Sequence, residues 1–93
     1  MAQVGSAVRV KVWIYDEDTG ALVDPTNGVF ITIIDEIGTV KIDDLAMSKI
    51  GTGYYQYVWQ SASTDRSGEY EVSIRDDDGT YQYVSDRNYF VLT

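Results

Sequence analysis

The chain has 93 residues, of which 44% are hydrophobic, and a net charge of −8, because fifteen Asp and Glu face seven Lys and Arg. This length predicts a single domain over residues 1–93 with one modest core. The absence of cysteine excludes disulfides and thiolate metal sites, and the absence of histidine removes the commonest general base. The acidic charge disfavours nucleic acid and anionic membrane as partners, and no apolar run approaches the roughly 20 residues of a membrane span.

Alternating apolar and polar residues predict strands in the first half of the chain. Residues 8–14 place Val and Ile on one face and polar or aromatic side chains on the other, as a half-buried strand requires. A turn is predicted at 16–20, a β-branched strand at 29–34 and a short strand at 39–42. Residues 43–47 are expected to form one helical turn or a loop.

The second half shows the same period of two more regularly. Strands are predicted at 54–60 and 68–75, separated by a small polar loop, and Asp78-Gly79 is a strong hairpin signal before a strand at 80–84. A last strand is expected at 89–92. About seven short strands without helical periodicity indicate a sandwich or barrel. The predicted core consists of Val8, Val10, Val12, Ile14, Val29, Ile31, Ile33, Tyr55, Tyr57, Trp59, Tyr70, Val72, Ile74, Phe90 and Leu92.

Three segments carry a family resemblance that spans nearly the whole chain. They are Tyr15-Asp16 with Thr19-Gly20 and Val23-Asp24-Pro25, then Gly53-x-Tyr55-x-Tyr57-x-Trp59, then Asp65-x-x-Gly68-x-Tyr70-x-Val72-x-Ile74 with Phe90-x-Leu92. Together they resemble the immunoglobulin-like β-sandwich modules of bacterial, archaeal and phage proteins, including the macroglobulin-like ones. The resemblance implies an all-β, seven-stranded antiparallel sandwich with Greek-key topology. It also implies that Tyr70 forms a tyrosine corner, in which its hydroxyl bonds upstream backbone.

The resemblance implies a function of display and not of catalysis. We expect a non-enzymatic structural or interaction module that presents a binding surface within a larger surface or virion (phage-like) assembly. Its partner would be another protein or a further copy of the chain, for example through an exposed edge strand. No catalytic residue and no cofactor is implied. The first six residues lack the apolar core of a signal peptide, so the compartment stays open, with the cell surface or a virion favoured.

Acidic clusters between the predicted strands leave a second function open. Asp favours turns, but hard cations such as Ca²⁺ also bind several carboxylate and carbonyl oxygens. An EF-hand is excluded, because Ala21 and Tyr81 occupy the positions of its glycine and strands flank both loops. A calcium-stabilised adhesion domain, with its site at one end of the sandwich, stays an alternative. Its candidate ligands are Asp16, Asp18, Asp76 and Asp78, although no metal is assigned.

The tetrad Asp18-Thr19-Gly20-Ala21 suggests a third function. Homodimeric retroviral-type aspartic proteases carry such a tetrad, and two carboxylates sharing one proton supply their acid and base. Residues 49–53 would then form a flap. However, Tyr15-Asp16-Glu17 stand where that family has apolar residues, and a hairpin turn explains the tetrad without further assumption.

Aromatic side chains on the polar faces of the predicted strands are the candidates for partner binding. Tyr and Trp bury large areas at low entropic cost and are common interface anchors. The alternative is cross-strand packing on an open sheet face. Protein and carbohydrate partners would use the same residues, which are Trp13, Tyr15, Tyr54, Tyr81 and Tyr83.

Overall fold

The computed structural model describes residues 3–16, 18–79, 82–84 and 88–93, and within these ranges every regular element is a β-strand. No helix in the described part of the chain is long and apolar enough to cross a membrane. Eight strands are present among the described residues, where seven were predicted. They are β1 (Ala7–Trp13), β2 (Gly28–Ile34), β3 (Val40–Ala46), β4 (Ser48–Gly51), β5 (Tyr54–Gln60), β6 (Gly68–Asp77), β7 (Gln82–Val84) and β8 (Asn88–Leu92).

The strands form two antiparallel sheets. One sheet has three strands in the order β1-β5-β4. The other begins with β3-β2-β6, and β7 and β8 both pair with β6, β7 alongside Arg75–Asp77 and β8 alongside Gly68–Val72. Consecutive strands therefore often lie in different sheets, so that the chain crosses repeatedly from one sheet to the other.

One hydrophobic core lies between the two sheets. Nine of the fifteen residues predicted for it are buried in it, and the other six are partly buried and pack against it, namely Val8, Val10, Val12, Ile14, Tyr57 and Phe90. Val29, Ile31 and Ile33 of β2 are at most 1% exposed, as alternation along this strand requires. The ring of Trp59 on β5 lies 5.5 Å from that of Tyr70 on β6, which joins the two sheets. Met47 is also buried in this core, and Val4 and Ile42 pack against it, although their patterns did not predict this.

Tyr70 combines full burial in the core with ring stacking and a hydrogen bond. It is 1% exposed, its ring stacks on that of Phe90 at 5.3 Å, and its hydroxyl donates a hydrogen bond to the Arg66 carbonyl at 2.6 Å. The loop before β6 is thereby fixed to the start of that strand. The upstream backbone bond predicted for Tyr70 is present.

The prediction of a helical turn or loop at 43–47 was wrong. Residues 40–46 continue as β3, and Met47 separates this strand from β4. The β2–β3 register shifts twice, and Asp44 adopts a left-handed φ of 49°, where it pairs with Arg75 of β6. Bulges allow a strand to continue while its apolar alternation is interrupted. The sequence pattern therefore hid the second half of β3 and the short β4.

Candidate functional site

Two surfaces collect the residues that the sequence singled out, and the first is an acidic cleft. This cleft has a volume of about 520 Å³ and lies where residues 14–25 meet the end of β6 and the start of the β6–β7 hairpin. It brings together all four predicted calcium ligands and adds Asp24, which was not predicted. Its carboxylates belong to Asp16, Asp18, Asp24, Asp76 and Asp78, and the rings of Tyr15 and Tyr83 also line it.

The turn at one side of the cleft is fixed by Asp16. Its Oδ1 accepts hydrogen bonds from the backbone N–H groups of Asp18 (2.8 Å) and Thr19 (3.1 Å), and its backbone pairs with Gly20 and Ala21. The Asp18-Thr19-Gly20 segment is therefore a hairpin turn, with Asp18 exposed at its tip. Glu17 lies outside the described residues.

Asp24 connects the lining of the cleft to the β4–β5 turn. Its carboxylate accepts bonds from the Gly53 N–H (2.7 Å) and from Lys49 Nζ (2.7 Å), and the Tyr55 hydroxyl lies 3.5 Å away. The Gly53 N–H, followed by Lys49, lowers the pKa of Asp24 below its usual 3.8. Nothing in the local sequence links Asp24 with Gly53, because they are 29 residues apart and meet only in the fold.

The carboxylates at the other side of the cleft lie in a different electrostatic environment. Partial burial raises the pKa of Asp76 above its ordinary value, and the negative charge of Asp78 adds to this effect. Within the described ranges, no three acidic side chains are close enough together to hold a metal ion. The fold thus gathers the predicted ligands around one opening without closing them into a coordination sphere.

The second surface is the outer face of the three-stranded sheet, which we call the aromatic–basic face. Its cross-strand pairs are Arg9 with Val58, Lys11 with Gln56, and Trp13 with Tyr54. The rings of Trp13 and Tyr54 are parallel, with centroids 4.9 Å apart, and Trp13 remains 49% exposed. β1, β4 and β5 contain no Asp or Glu. In a chain of net charge −8, this face carries only positive charge.

The cations of this face differ from three others in the described part of the chain. Lys41, Lys49 and Arg75 each form a salt bridge with an aspartate. Neither Arg9 nor Lys11 forms one with any residue in the described ranges. Their charges are therefore available to a partner.

The predicted partner-binding residues divide between the two surfaces. Trp13 and Tyr54 form the stacked pair of the aromatic–basic face, so the cross-strand packing considered above does occur there. Tyr15 and Tyr83 line the acidic cleft and are 60% and 49% exposed. Tyr81 lies outside the described residues. Sequence reasoning found these aromatic residues but missed Arg9 and Lys11, although the lack of acids in residues 3–15 was a readable signal.

Comparisons of the chain with protein-family models, with curated proteins and with solved structures gave no match.

Proposed function

We propose that this chain is a non-enzymatic interaction module that displays its aromatic–basic face to a protein partner within a larger surface or virion assembly. The observation that carries the proposal is the charge and composition of this face. Arg9 and Lys11, which form no salt bridge with any described residue, lie on the same face as an exposed Trp–Tyr stack, on a sheet whose strands contain no acid. A partner with negative charge is attracted here and repelled by most of the remaining surface.

An immunoglobulin-like architecture is the second part of the proposal, and strand order supports it. The order β1-β5-β4 corresponds to immunoglobulin strands B-E-D, and β3-β2-β6 followed by β7 and β8 corresponds to C′-C-F-G. The Tyr70–Arg66 bond lies at the start of the strand equivalent to F, where a tyrosine corner is expected. Two departures are the split of the last strand and a first sheet of three strands instead of four.

The aromatic–basic face has the composition of an interface centre. Trp, Tyr and Arg are the residue types that contribute most to protein–protein binding, and carboxylates are depleted from interface cores. The rings of Trp13 and Tyr54 stack on each other in the free protein, so these side chains lose little conformational freedom on binding. Val58, 45% exposed beside them, adds apolar area.

The test compares two exposed aromatic residues on opposite sheets. The immobilised chain and its variants are incubated with extract of the source cells or particles, and bound proteins are identified by mass spectrometry. Trp13→Ala is expected to lose the specifically bound partner. Tyr89→Ala, which removes a 55% exposed ring from β8 of the other sheet, is expected to retain it. Retention by Trp13→Ala, or equal loss by both variants, would refute the proposal.

A calcium-stabilised adhesion domain is a second candidate, favoured by the location of all four predicted ligands around the acidic cleft. Thermal unfolding is measured with calcium, with magnesium as the control cation, and with a chelator. Calcium at a hundred times its dissociation constant would stabilise the fold by about 2.7 kcal/mol, and Asp76→Asn would reduce this gain. Identical midpoints with calcium and with chelator would eliminate this candidate.

A further inference from the structure

We propose that the free edge of β1 accepts an extended acidic segment of another protein as an added antiparallel or parallel strand. This inference rests on the interaction function proposed above and specifies the partner and its mode of binding. It follows from four properties of β1, which are its open backbone groups, its regular geometry, its half-exposed valines and its unpaired cations.

One side of β1 has backbone groups without partners in the described part of the chain. The Ser6 carbonyl accepts from the Ser61 N–H, and the Ile14 N–H donates to the Gly53 carbonyl, so even-numbered residues face β5. Because backbone groups alternate along a strand, those of Ala7, Arg9, Lys11 and Trp13 face away from β5. Apart from β5, no described strand pairs with β1. These backbone groups can therefore form hydrogen bonds with an added strand of about eight to ten residues that lies alongside β1.

The other sheet edges are less suited to strand addition. β3 has two register shifts and a left-handed residue at Asp44, and β4 is four residues long with a further shift. β7 has three residues and β8 has five. By contrast, β1 pairs with β5 in an unbroken register from Ala7 to Trp13. Short or bulged edges resist pairing, whereas a regular edge of seven residues is a template for it.

The inner face of β1 is incompletely covered. Val8, Val10 and Val12 point to the core but are only half-buried, whereas Val72 and Ile74 of the central strand β6 are 5% and 6% exposed. An added strand with apolar residues on its inward side would cover these valines. Burial of such apolar groups favours binding in proportion to the apolar area removed from water.

The outer face of β1 determines the charge of the added strand. Arg9 and Lys11 are two residues apart, so both project on this side, and neither has an acidic neighbour within its own sheet. Opposite charges directly across a strand pair are stabilising, and like charges are destabilising. The segment that fits therefore alternates apolar residues, which face inward, with Asp or Glu, which face Arg9 and Lys11.

A second copy of the chain does not meet this requirement. Two β1 strands paired antiparallel about Val10 would place Arg9 of each copy opposite Lys11 of the other. Among the remaining described edges, β4 carries Lys49, and β7 and β8 carry no charge. The acids of β3 lie next to each other in a bulged strand, and Asp44 is already bound to Arg75. The occupant is therefore a segment of a different protein.

The experiment titrates the full chain, followed by NMR, with a nine-residue peptide that alternates Val and Glu. A peptide that alternates Val and Lys is the matched control. The glutamate peptide is expected to shift the amide signals of β1 and to slow hydrogen exchange at Ala7, Arg9, Lys11 and Trp13. Binding of the lysine peptide with equal affinity, shifts confined to other strands, or no binding at millimolar peptide would overturn the proposal.

Four variants separate charge from backbone pairing. Lys11→Glu is expected to weaken binding about tenfold or more, and Arg66→Glu, the same charge change on an exposed loop, by less than about threefold. Lys11→Ala removes the charge alone, whereas Lys11→Pro removes the charge and an edge-facing N–H. Lys11→Pro is expected to fold, because proline is tolerated on free edges, and to bind more weakly than Lys11→Ala. Should Lys11→Pro fail to fold, Lys11→Glu still decides the outcome.

Failure of strand addition is distinguishable from failure of the interaction function. If the peptide does not protect the β1 amides, strand addition is wrong even where Trp13→Ala abolishes capture of the partner. If Trp13→Ala retains the partner, the interaction function itself is wrong. Sedimentation of the wild-type chain as a dimer that Lys11→Pro dissociates would identify a second copy as the occupant and overturn the proposal.

Discussion

Gly53 is the glycine at which an added methyl group is expected to destabilise the fold most. Its φ is 65°, in the left-handed region, and a Cβ built there lies 2.9 Å from both the Ile14 carbonyl oxygen and the Val23 amide nitrogen. Neither neighbour is a flexible side chain. The left-handed conformation costs alanine about 1–2 kcal/mol, and overpacking of this kind about 1–3 kcal/mol more. We therefore expect Gly53→Ala to destabilise the fold by about 2–5 kcal/mol.

The surrounding turn cannot move aside without losing hydrogen bonds. The Gly53 N–H donates to Asp24 Oδ1 at 2.7 Å, and the Gly53 carbonyl accepts from the Ile14 N–H at 2.7 Å. Each bond contributes about 0.5–1.5 kcal/mol net, so relaxation exchanges one cost for another. Ile14 and Val23 also line the acidic cleft, and Asp24 is bonded to Gly53, so relief of the clash would disturb this cleft.

Gly20 provides the matched control. Its φ of 73° is nearly the same, but a Cβ built there has no heavy atom within 4 Å. Gly20→Ala should therefore show the conformational cost alone, about 1–2 kcal/mol. Urea unfolding, followed by the fluorescence of the buried Trp59, gives both free energies by linear extrapolation. Equal losses for the two variants would show that the contacts of Gly53 are relieved without cost and would refute the steric argument.

Three further outcomes are expected from the hydrogen bonds of the fold. Tyr70→Phe should lose about 1 kcal/mol in urea unfolding because it removes the hydroxyl that bonds upstream backbone, whereas Tyr89→Phe on the surface should lose almost nothing. Ser61→Ala should lose about 1–3 kcal/mol, since its buried hydroxyl bonds two backbone groups of the N-terminal segment, and exposed Ser63→Ala should be neutral. Asp24 has a folded pKa below 3.8, so its contribution to the free energy of unfolding is present above about pH 4 and is lost as the pH falls through the folded pKa. Asp24→Asn should therefore flatten this part of the acid unfolding profile.

The sequence allowed the core to be predicted because its strands bury one face at a time. From Glu69 to Arg75 of β6, apolar and polar residues alternate and each apolar residue is buried, so the sequence pattern predicts burial directly. β3 departs from this rule. Asp43 and Asp44 follow each other, and the chain accommodates them through bulges and the pairing of Asp44 with Arg75, 31 residues away. A local pattern contains no information about a partner so distant in sequence.

The candidate surfaces show the same limit. The acidic turns were visible as residue clusters, but their meeting at one cleft depends on the closeness of the hairpin at 16–21 to the end of β6. Asp24 was missed because its partners, Gly53 and Lys49, lie on the β4–β5 turn, and β4 itself was not predicted. The aromatic–basic face was predicted in part. Alternation placed Trp13 on the outer face of its strand, but it could not show that Trp13 pairs with Tyr54.

Arg9 and Lys11 of β1 have two effects: their positive charges repel a second copy of the strand and attract an acidic strand. Proteins commonly place Lys and Arg on edge strands to prevent association, and Arg9 opposite Lys11 of a second copy does this for β1. The same charges attract a strand that carries carboxylates at alternate positions, because the like-charge penalty then becomes an opposite-charge gain. Protection by charge leaves the backbone groups of the edge unblocked, unlike protection by bulges or proline. An edge protected only by charge is thus closed to its own copies and open to a complementary strand, which gives β1 specificity without a further structural element.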